Sequence, residues 1–296
     1  MKRILVSLLV VCFTIAAWAQ NDDFVQYQLD NGLTVYLWED HDQPDVQGWT
    51  VTRAGSIDEP ADATGLAHYL EHMLFKGTDR IGALDWAKEK PLYEQIIALY
   101  DTLALTTDDQ AREAVQLRIN EVSREAAQYA ATDEFSNLIQ GIGGEGLNAF
   151  TSYDVTCYMN SFPSYQMERW LTLYADRLTN PVFRSFQAEL ENVFEEYNMY
   201  LDDNSTHVRN FIFGKLYEGH AYARNIIGYP EDLKNPKLRK LIDFYNTWYV
   251  PNNMALILVG DFEIETTKPL IEKTFGKLQS RPLPERTKYP TTTFTQ

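Results

Sequence analysis

The stretch Gly65-Leu-Ala-His-Tyr-Leu-Glu-His-Met-Leu-Phe75 places two histidines and a glutamate within five residues of an otherwise apolar segment. Its apolar residues recur at helical spacing, so the sequence predicts an α-helix over about Gly65 to Phe75. The whole chain contains five histidines, and two of them lie four residues apart in this helix. Ionisable groups on an apolar helix need a partner, and this stretch is therefore the first candidate for a functional site.

The two histidines, His68 and His72, project from nearly the same helical face, because each residue advances by about 100°. Two imidazoles in this arrangement can bind one metal ion. Glu71 is offset around the helix, which suits a carboxylate that polarises water without being a ligand. Zinc fits best, since it accepts imidazole and carboxylate ligands and lowers the pKa of bound water to about 7. The alternative is a pair of helix histidines that form hydrogen bonds with neighbouring polar groups, but the fixed spacing favours the metal site.

The rest of the chain mixes strand patterns with helix patterns. Asp30-Asn31-Gly32 lies between alternating segments and predicts a β-hairpin over Tyr27 to Leu37. Further strands are predicted at Val46 to Arg53, Leu147 to Thr151, Val155 to Asn160 and Met254 to Gly260. Helices are predicted at Ser164 to Leu178, Ser185 to Leu201, Thr206 to Tyr217, Lys237 to Trp248 and Glu263 to Phe275. Without regular βαβ alternation, this order predicts an α+β domain.

The amino-terminal end has the layout of a secretory signal peptide. Lys2 and Arg3 precede an apolar run, and Ala17-Trp18-Ala19 forms a small-x-small cleavage site. We therefore expect residues 1–19 to be removed and the protein to be exported, to the periplasm or the extracellular space. The alternative is an uncleaved amino-terminal anchor. No other segment is apolar for long enough to span a membrane, so we expect no span in the mature protein.

Charge and cysteine content exclude several classes of function. The formal net charge of −16 disfavours nucleic acid and anionic membrane surfaces as partners. Cys12 lies in the predicted signal peptide, and Cys157 is then the one cysteine of the mature chain. An internal disulfide and a CxxC metal site are therefore excluded.

His68-x-x-Glu71-His72 is the inverted form of the commoner zinc-protease motif, and the sequence around it resembles the M16 metallopeptidases. This family includes pitrilysin, insulin-degrading enzyme and the mitochondrial processing peptidase. The resemblance covers about residues 25 to 280 and includes Gly65 to Gly77, Asn148 to Thr151, Glu189 to Glu196, Tyr249 to Met254 and Leu258 to Asp261. It implies a LuxS/MPP-like α+β fold, a mostly antiparallel sheet packed with helices, for an amino-terminal M16 domain over residues 24–278.

The resemblance also implies a third metal ligand from a later helix with the pattern Glu-x-x-x-Val-x-x-Glu. Glu189-Leu-Glu-Asn-Val-Phe-Glu-Glu196 matches this pattern, which makes Glu196 the ligand and Glu189 a supporting acceptor for a ligand histidine. Seven residues make about two helical turns, so the two glutamates share a face. Glu195 is the competing candidate.

A substrate-binding strand is implied by the resemblance as well. Asn148, Ala149, Phe150 and Thr151 resemble the edge strand that pairs with an extended peptide in this family, through main-chain hydrogen bonds. The alternative is an ordinary internal strand. We assign no chemistry to the remaining family matches and histidines, which are His220, Arg224, His41 and His207.

Two segments depart from the core of the family pattern. The separation of His72 from Glu196 is longer by several dozen residues than in the best-known members, and the surplus coincides with a predicted helical hairpin. We interpret residues 83–130 as an inserted helical hairpin, which leaves the ligands in place if its two ends lie close together. The Pro- and Thr-rich residues 279–296 are predicted to be a linker-like tail.

These features predict an exported zinc-dependent metalloendopeptidase domain that binds one zinc ion per chain and hydrolyses peptides or small unfolded proteins. The resemblance implies that a homologous carboxy-terminal M16 half, or a partner chain, completes the enzyme. One alternative is a non-catalytic M16-like binding or assembly subunit. Another is a small-molecule hydrolase or lyase, because the related fold of S-ribosylhomocysteinase also carries an HxxEH motif.

Overall fold

The computed structural model describes residues 24–235 and 237–289. The predicted signal peptide, residues 1–19, lies outside this part of the chain, as do residues 290–296 of the predicted tail. Within the described residues, no helix is long and apolar enough to cross a membrane.

Six strands form one mixed sheet in the order β1-β2-β6-β3-β5-β4. They are β1 (Phe24–Gln28), β2 (Thr34–Glu39), β3 (Asp45–Thr52), β4 (Glu145–Thr151), β5 (Thr156–Pro163) and β6 (Met254–Gly260). Strands β2 and β6 are parallel, and every other pair is antiparallel. The prediction of a mostly antiparallel sheet packed with helices is confirmed.

The β1–β2 hairpin turns where the sequence predicts it. Gly32 has a φ of 87°, a left-handed conformation that favours glycine. The neighbouring Asn31 donates its side-chain amide to the carbonyl oxygens of Phe275 at 2.9 Å and Leu278 at 3.0 Å. The turn is thereby tied to the segment that follows the last helix.

The two faces of the sheet have different surroundings. Alternate residues of β6 and β3 are buried on one face, where the helices pack. The approach is closest at Gly48, where an added Cβ would lie 2.3 Å from Trp170. The opposite face carries Trp38 and Phe150, which are 49% and 42% exposed. The sheet is therefore covered by helices on one face, and apolar side chains remain exposed on the other.

Ten helices accompany the sheet in the described residues. They are α1 (Leu66–Met73), α2 (Trp86–Leu105), α3 (Asp109–Ala126), α4 (Glu134–Gly141), α5 (Met167–Arg177), α6 (Phe186–Leu201), α7 (Asn204–Leu216), α8 (Pro230–Leu233), α9 (Leu238–Trp248) and α10 (Ile264–Thr274). Sequence patterns predicted all of these except α4 and α8. Helices α1, α4, α5 and α10 contact the sheet directly.

Helices α2 and α3 form the predicted helical hairpin. Asp108 caps α3 by accepting a hydrogen bond from the Ala111 amide at 2.9 Å. Where the segment leaves and rejoins the rest of the domain, Ala83 pairs with Ala130 in an antiparallel bridge. The two ends of the hairpin therefore lie side by side.

Residues 279–289 form no helix or strand but contact the domain. The Arg281 carbonyl oxygen accepts a hydrogen bond from the Asn252 side chain at 2.9 Å. Farther along, Arg286 forms an ion pair with Asp58 at 3.1 Å. This part of the predicted tail therefore lies against the domain surface.

Candidate metal centre

Helix α1 begins at a buried and tightly packed position. Gly65, its N-cap residue, has a φ of 81°, and an added Cβ would lie 2.4 Å from the Ile227 carbonyl oxygen. Glu59 caps the helix instead of Gly65: its carboxylate accepts hydrogen bonds from the Gly65 amide at 3.0 Å and the Ala67 amide at 2.8 Å. Burial raises the pKa of Glu59 to about 8. The start of the histidine-bearing helix is thus fixed by both shape and hydrogen bonding.

The structure brings His68, His72 and Glu196 together. Oε2 of Glu196 on α6 lies 3.7 Å from Nε2 of His68 and 3.4 Å from Nε2 of His72. One donor atom from each of the three residues falls within 4.8 Å of the others. The i, i+4 spacing on α1 and the passage of α6 across it produce this convergence.

These donor separations fit a zinc ion. A tetrahedral zinc with ligand distances of about 2.0–2.2 Å places its donors about 3.3–3.6 Å apart, close to the separations in the structure. Burial and the neighbouring His72 lower the pKa of His68 to about 4, which favours the neutral imidazole that metals bind. The buried Nδ1 of His68 has no hydrogen-bond partner among the described residues.

Glu189 holds the His72 ring from the side away from Glu196. Its Oε1 lies 2.8 Å from Nδ1 of His72, and its Oε2 lies 2.5 Å from Nζ of Lys76. Burial opposes ionisation of Glu189, but the hydrogen bonds from these two partners lower its pKa to about 2. With Nδ1 engaged in this way, Nε2 of His72 is directed at the three-residue cluster.

Glu71 lies beside the cluster without belonging to it. Its side chain is 8% exposed, and the Thr151 hydroxyl donates a hydrogen bond to Oε2 at 2.5 Å. Burial raises the pKa of Glu71 above its ordinary value. A buried carboxylate of this kind, close to a metal site, is suited to accept a proton.

A cleft of about 680 Å³ contains the cluster and is bordered by strand β4. Asn148, Ala149, Phe150 and Thr151 all line it. Strand β4 is an edge strand of the sheet, paired on one side with β5. Its other edge is therefore available to pair with an extended chain.

Lys76 and Tyr200 are among the residues around the site that the sequence did not indicate. Lys76 anchors Glu189, and Tyr200 lines the cleft one turn after Glu196. Both lie four residues from a candidate ligand, a spacing that could have identified them. The competing candidate Glu195 is exposed and takes no part in the cluster.

The other three histidines form hydrogen bonds outside the candidate metal centre. His220 accepts a hydrogen bond from the Tyr222 amide at 3.0 Å, and His207 bonds the Leu201 carbonyl oxygen at 2.7 Å. His41 lies near Glu39 and Glu263 in a second group of possible donors. Its two ring nitrogens already bond Asp261 at 2.7 Å and Glu39 at 3.0 Å. We therefore assign no metal to that group.

Two sequence profiles of one peptidase family match the chain. The profile described as insulinase, peptidase family M16, matches residues 34–89 and 109–229. A second profile, described as the peptidase M16 inactive domain, matches residues 237–296. The gap at residues 90–108 falls within the helical hairpin.

Curated relatives and solved structures agree with these profiles. The chain is 25% identical over 285 residues to the probable zinc protease PqqL of Escherichia coli, covering 93% of this chain and 25% of the relative. It is 23% identical to the zinc protease PqqE of Helicobacter pylori, covering 77% of this chain and 41% of the relative. The crystal structure of the first half of periplasmic PqqL superposes with a TM-score of 0.69 at 23% identity, covering 92% of this chain and 50% of that one. The chain thus spans half or less of the length of each of these three chains.

Proposed function

Because the chain belongs to the M16 peptidase family, we propose that it is the metal-bearing part of a zinc-dependent metalloendopeptidase, which hydrolyses peptides or small unfolded proteins. The observation that carries the proposal is the convergence of His68, His72 and Glu196 beside the buried Glu71. These three residues would hold one zinc ion per chain.

Each residue of the site has a role in this proposal. Zinc, when bound, would polarise the scissile carbonyl and lower the pKa of a nearby water molecule. Glu71 takes a proton from the attacking water and delivers it to the leaving amine. The Thr151 hydroxyl orients Glu71 through its hydrogen bond at 2.5 Å. Glu189 orients His72 from behind.

The substrate is proposed to bind as an extended chain along the free edge of β4. Main-chain pairing at Asn148–Thr151 would hold peptides of varied sequence, because backbone hydrogen bonds do not depend on side chains. Thr151, the last residue of β4, contacts Glu71. A peptide paired to this strand would therefore pass the candidate base.

The domain organisation is proposed on the same basis. Residues 24–278 form the amino-terminal M16 domain, and residues 83–130 are an inserted hairpin, which the adjacent ends at Ala83 and Ala130 support. Residues 279–296 are proposed to be the linker that follows this domain, and residues 279–289 of it lie against the domain surface. Export to the periplasm or the extracellular space is supported by the signal-peptide pattern of residues 1–19 and by the periplasmic relative.

Hydrolysis of a quenched peptide library, with and without a chelator, tests the function. We expect cleavage that the chelator abolishes and that added zinc restores. A folded, zinc-loaded protein that cleaves no peptide, even with a homologous carboxy-terminal half present, would reject the peptidase proposal in favour of a non-catalytic binding subunit. Cleavage that survives complete metal removal would reject the zinc mechanism.

A further inference from the structure

A second cavity, of about 640 Å³, lies between the helical hairpin and the beginning of α6. We call it the hairpin cavity. Helix α2 contributes Ile96 and Tyr100, α3 contributes Ser123, and α6 contributes Phe186. The cavity is nearly as large as the 680 Å³ cleft around the metal centre, and both fall within the range of ligand-binding cavities.

The hairpin cavity adjoins the metal cleft. Lys76 and Glu189 line both spaces. The ion pair between them, 2.5 Å between Nζ and Oε2, therefore forms a wall that the two spaces share. A polypeptide that extended out of the cleft beside Lys76 would therefore reach the hairpin cavity.

Strand β4 would lead a paired peptide from Glu71 toward α4, which contacts this strand. Thr151 lies beside Glu71, and four residues earlier Leu147 also lines the cleft. At about 3.3 Å per residue, that part of the strand spans about 13 Å. Ser136 on α4 lines the same cleft, whereas Asp133, just before α4, lines the hairpin cavity. A peptide paired with β4 would thus run from Glu71 toward α4, and the residues at the start of α4 border both spaces.

The buried part of the hairpin cavity wall suits uncharged side chains, whereas Arg124, Asp133 and Glu191 line it at exposed positions. Ile96, Tyr100 and Phe186 are each less than 10% exposed and supply an apolar surface. The buried Arg184 in its wall is neutralised by Glu89, with 2.5 Å between Nε and Oε1. Lys76 is likewise paired with Glu189. An apolar or aromatic side chain would therefore bind there without leaving a buried charge unpaired.

We propose that the hairpin cavity is a remote binding subsite for the polypeptide substrate, which holds an apolar side chain several residues from the bond that is cut. This inference rests on the peptidase function proposed above. In this proposal the helical hairpin selects substrates that are long enough to reach beyond the metal cleft. Binding energy from such a remote part of a substrate can be used to position the reacting bond.

Peptide binding to filled-cavity variants tests the proposal. The protein is the zinc-loaded Glu71→Gln variant, and the probes are a fluorescent 20-residue peptide with an apolar residue near each end and its central eight residues alone. Ser123→Trp fills the cavity, and Ala127→Trp, at an exposed lining position, provides a second filled variant in case the first does not fold. Leu105→Trp at the 86%-exposed end of α2 is the matched control.

We expect the filled variants to bind the 20-residue peptide about tenfold more weakly, since one buried apolar side chain contributes about this much, and to bind the short peptide unchanged. The control should bind both as the parent does. Equal affinities of the folded variants and the parent for the long peptide would overturn the subsite. Equal weakening for both peptides would also overturn it, because the effect would then lie in the metal cleft. If the parent protein binds neither peptide even with a homologous carboxy-terminal half present, the proposed peptidase function is rejected together with the subsite.

Discussion

At the scale of single residues, burial and neighbouring acidic groups shift the pKa values of the two site histidines in opposite directions. Burial alone would disfavour the charged His72 ring, but hydrogen bonds to Glu189 and Glu196 outweigh it and raise the pKa of His72 to about 9. Among the residues that the structure describes, Glu196, 3.7 Å away, is the one acidic partner of His68, and burial lowers the pKa of this histidine. A bound dication would satisfy both histidines. It would replace the proton on His72, and it would give His68 a partner.

Replacing Glu71 by glutamine separates its proposed role from that of a ligand. The amide keeps the shape but cannot accept the proton, so we expect a loss of about 10²–10⁴-fold in kcat with zinc content unchanged. Parallel measurement of turnover and of metal content by elemental analysis checks this. Loss of zinc together with activity would make Glu71 a ligand and contradict the assignment.

Glu196→Gln and Glu195→Gln form a matched pair that tests the third ligand. Only Glu196 approaches the histidines, with Oε2 3.4 Å from Nε2 of His72, whereas Glu195 is exposed. Zinc affinity should fall by more than about 100-fold in the first variant, since even partners outside the ligand set are worth about 10–100-fold. It should stay unchanged in the second. Competition with a chromophoric chelator measures both constants, and similar affinities for the two variants would refute the assignment.

The sequence predicted the candidate ligands because their chemistry repeats at fixed helical spacing. His68 and His72 could be identified within one motif, whereas Glu196 and Glu189 were implied by the family resemblance, and helix phase favoured Glu196 over Glu195. Contacts between distant segments were not predictable in this way. The hydrogen bond from Thr151 to Glu71 joins β4 to α1, and no local pattern encodes the distance between those two elements.

At the scale of elements, α1 depends on a cap from outside the helix. Glu59 accepts from both the Gly65 and Ala67 amides, so Glu59→Gln should leave one buried amide facing an NH₂ group. We expect a loss of about 1–3 kcal/mol in the free energy of unfolding. Urea titrations of the metal-free protein measure this, with the exposed Glu125→Gln as control. Equal midpoints for the two variants would show that the cap contributes nothing.

His41 links the end of β2 to the segment after β6 through Glu39 and Asp261. Hydrogen bonds to Asp261 and Glu39 raise the pKa of His41 to about 9 from its ordinary 6.5. Its contribution to stability is therefore complete below about pH 6.5 and is lost as the pH rises through about 9. His41→Asn should lower Tm at pH 6 and have little effect near pH 10. A Tm difference that stays constant across this range would contradict the linkage.

Most elements were predictable because their pattern of apolar residues continues over many positions or because their turn residues are distinctive. Helix α4 was missed because it has eight residues and starts after Asp133, which adopts a φ of 60° and provides no side-chain cap. Its buried Phe135 and Ile139 are spaced at i, i+4, but so short a repeat is ambiguous. The hairpin cavity was not predictable, because it arises from packing between α2, α3 and α6.

At the scale of the whole molecule, the open face of the sheet resembles an interaction surface. Trp38 and Phe150 are exposed on it, and Trp49 and Ile257 pair across β3 and β6 on the same face. Exposed apolar patches of this kind mark sites where proteins associate. The face agrees with the proposed pairing with a homologous half, and relatives such as PqqL, of which this chain covers 25%, have the length for further domains.

The proposed pairing predicts how residues 20–296 behave alone. The described domain places the candidate ligands and Glu71 on one side of an open cleft, and a homologous half would close that cleft over the substrate. Positioning by groups across a closed site can lower an activation barrier by several kcal/mol.

We therefore expect this segment to fold and bind zinc but to cleave a quenched peptide slowly, with kcat/KM rising at least about tenfold when a homologous carboxy-terminal half is added. The comparison uses one peptide and equal zinc loading, with the Glu71→Gln variant plus the same half as control for activity carried by the added protein. High activity in a demonstrably monomeric sample, unchanged by the added half, would show that this domain needs no partner, since every group required for turnover would then lie within it.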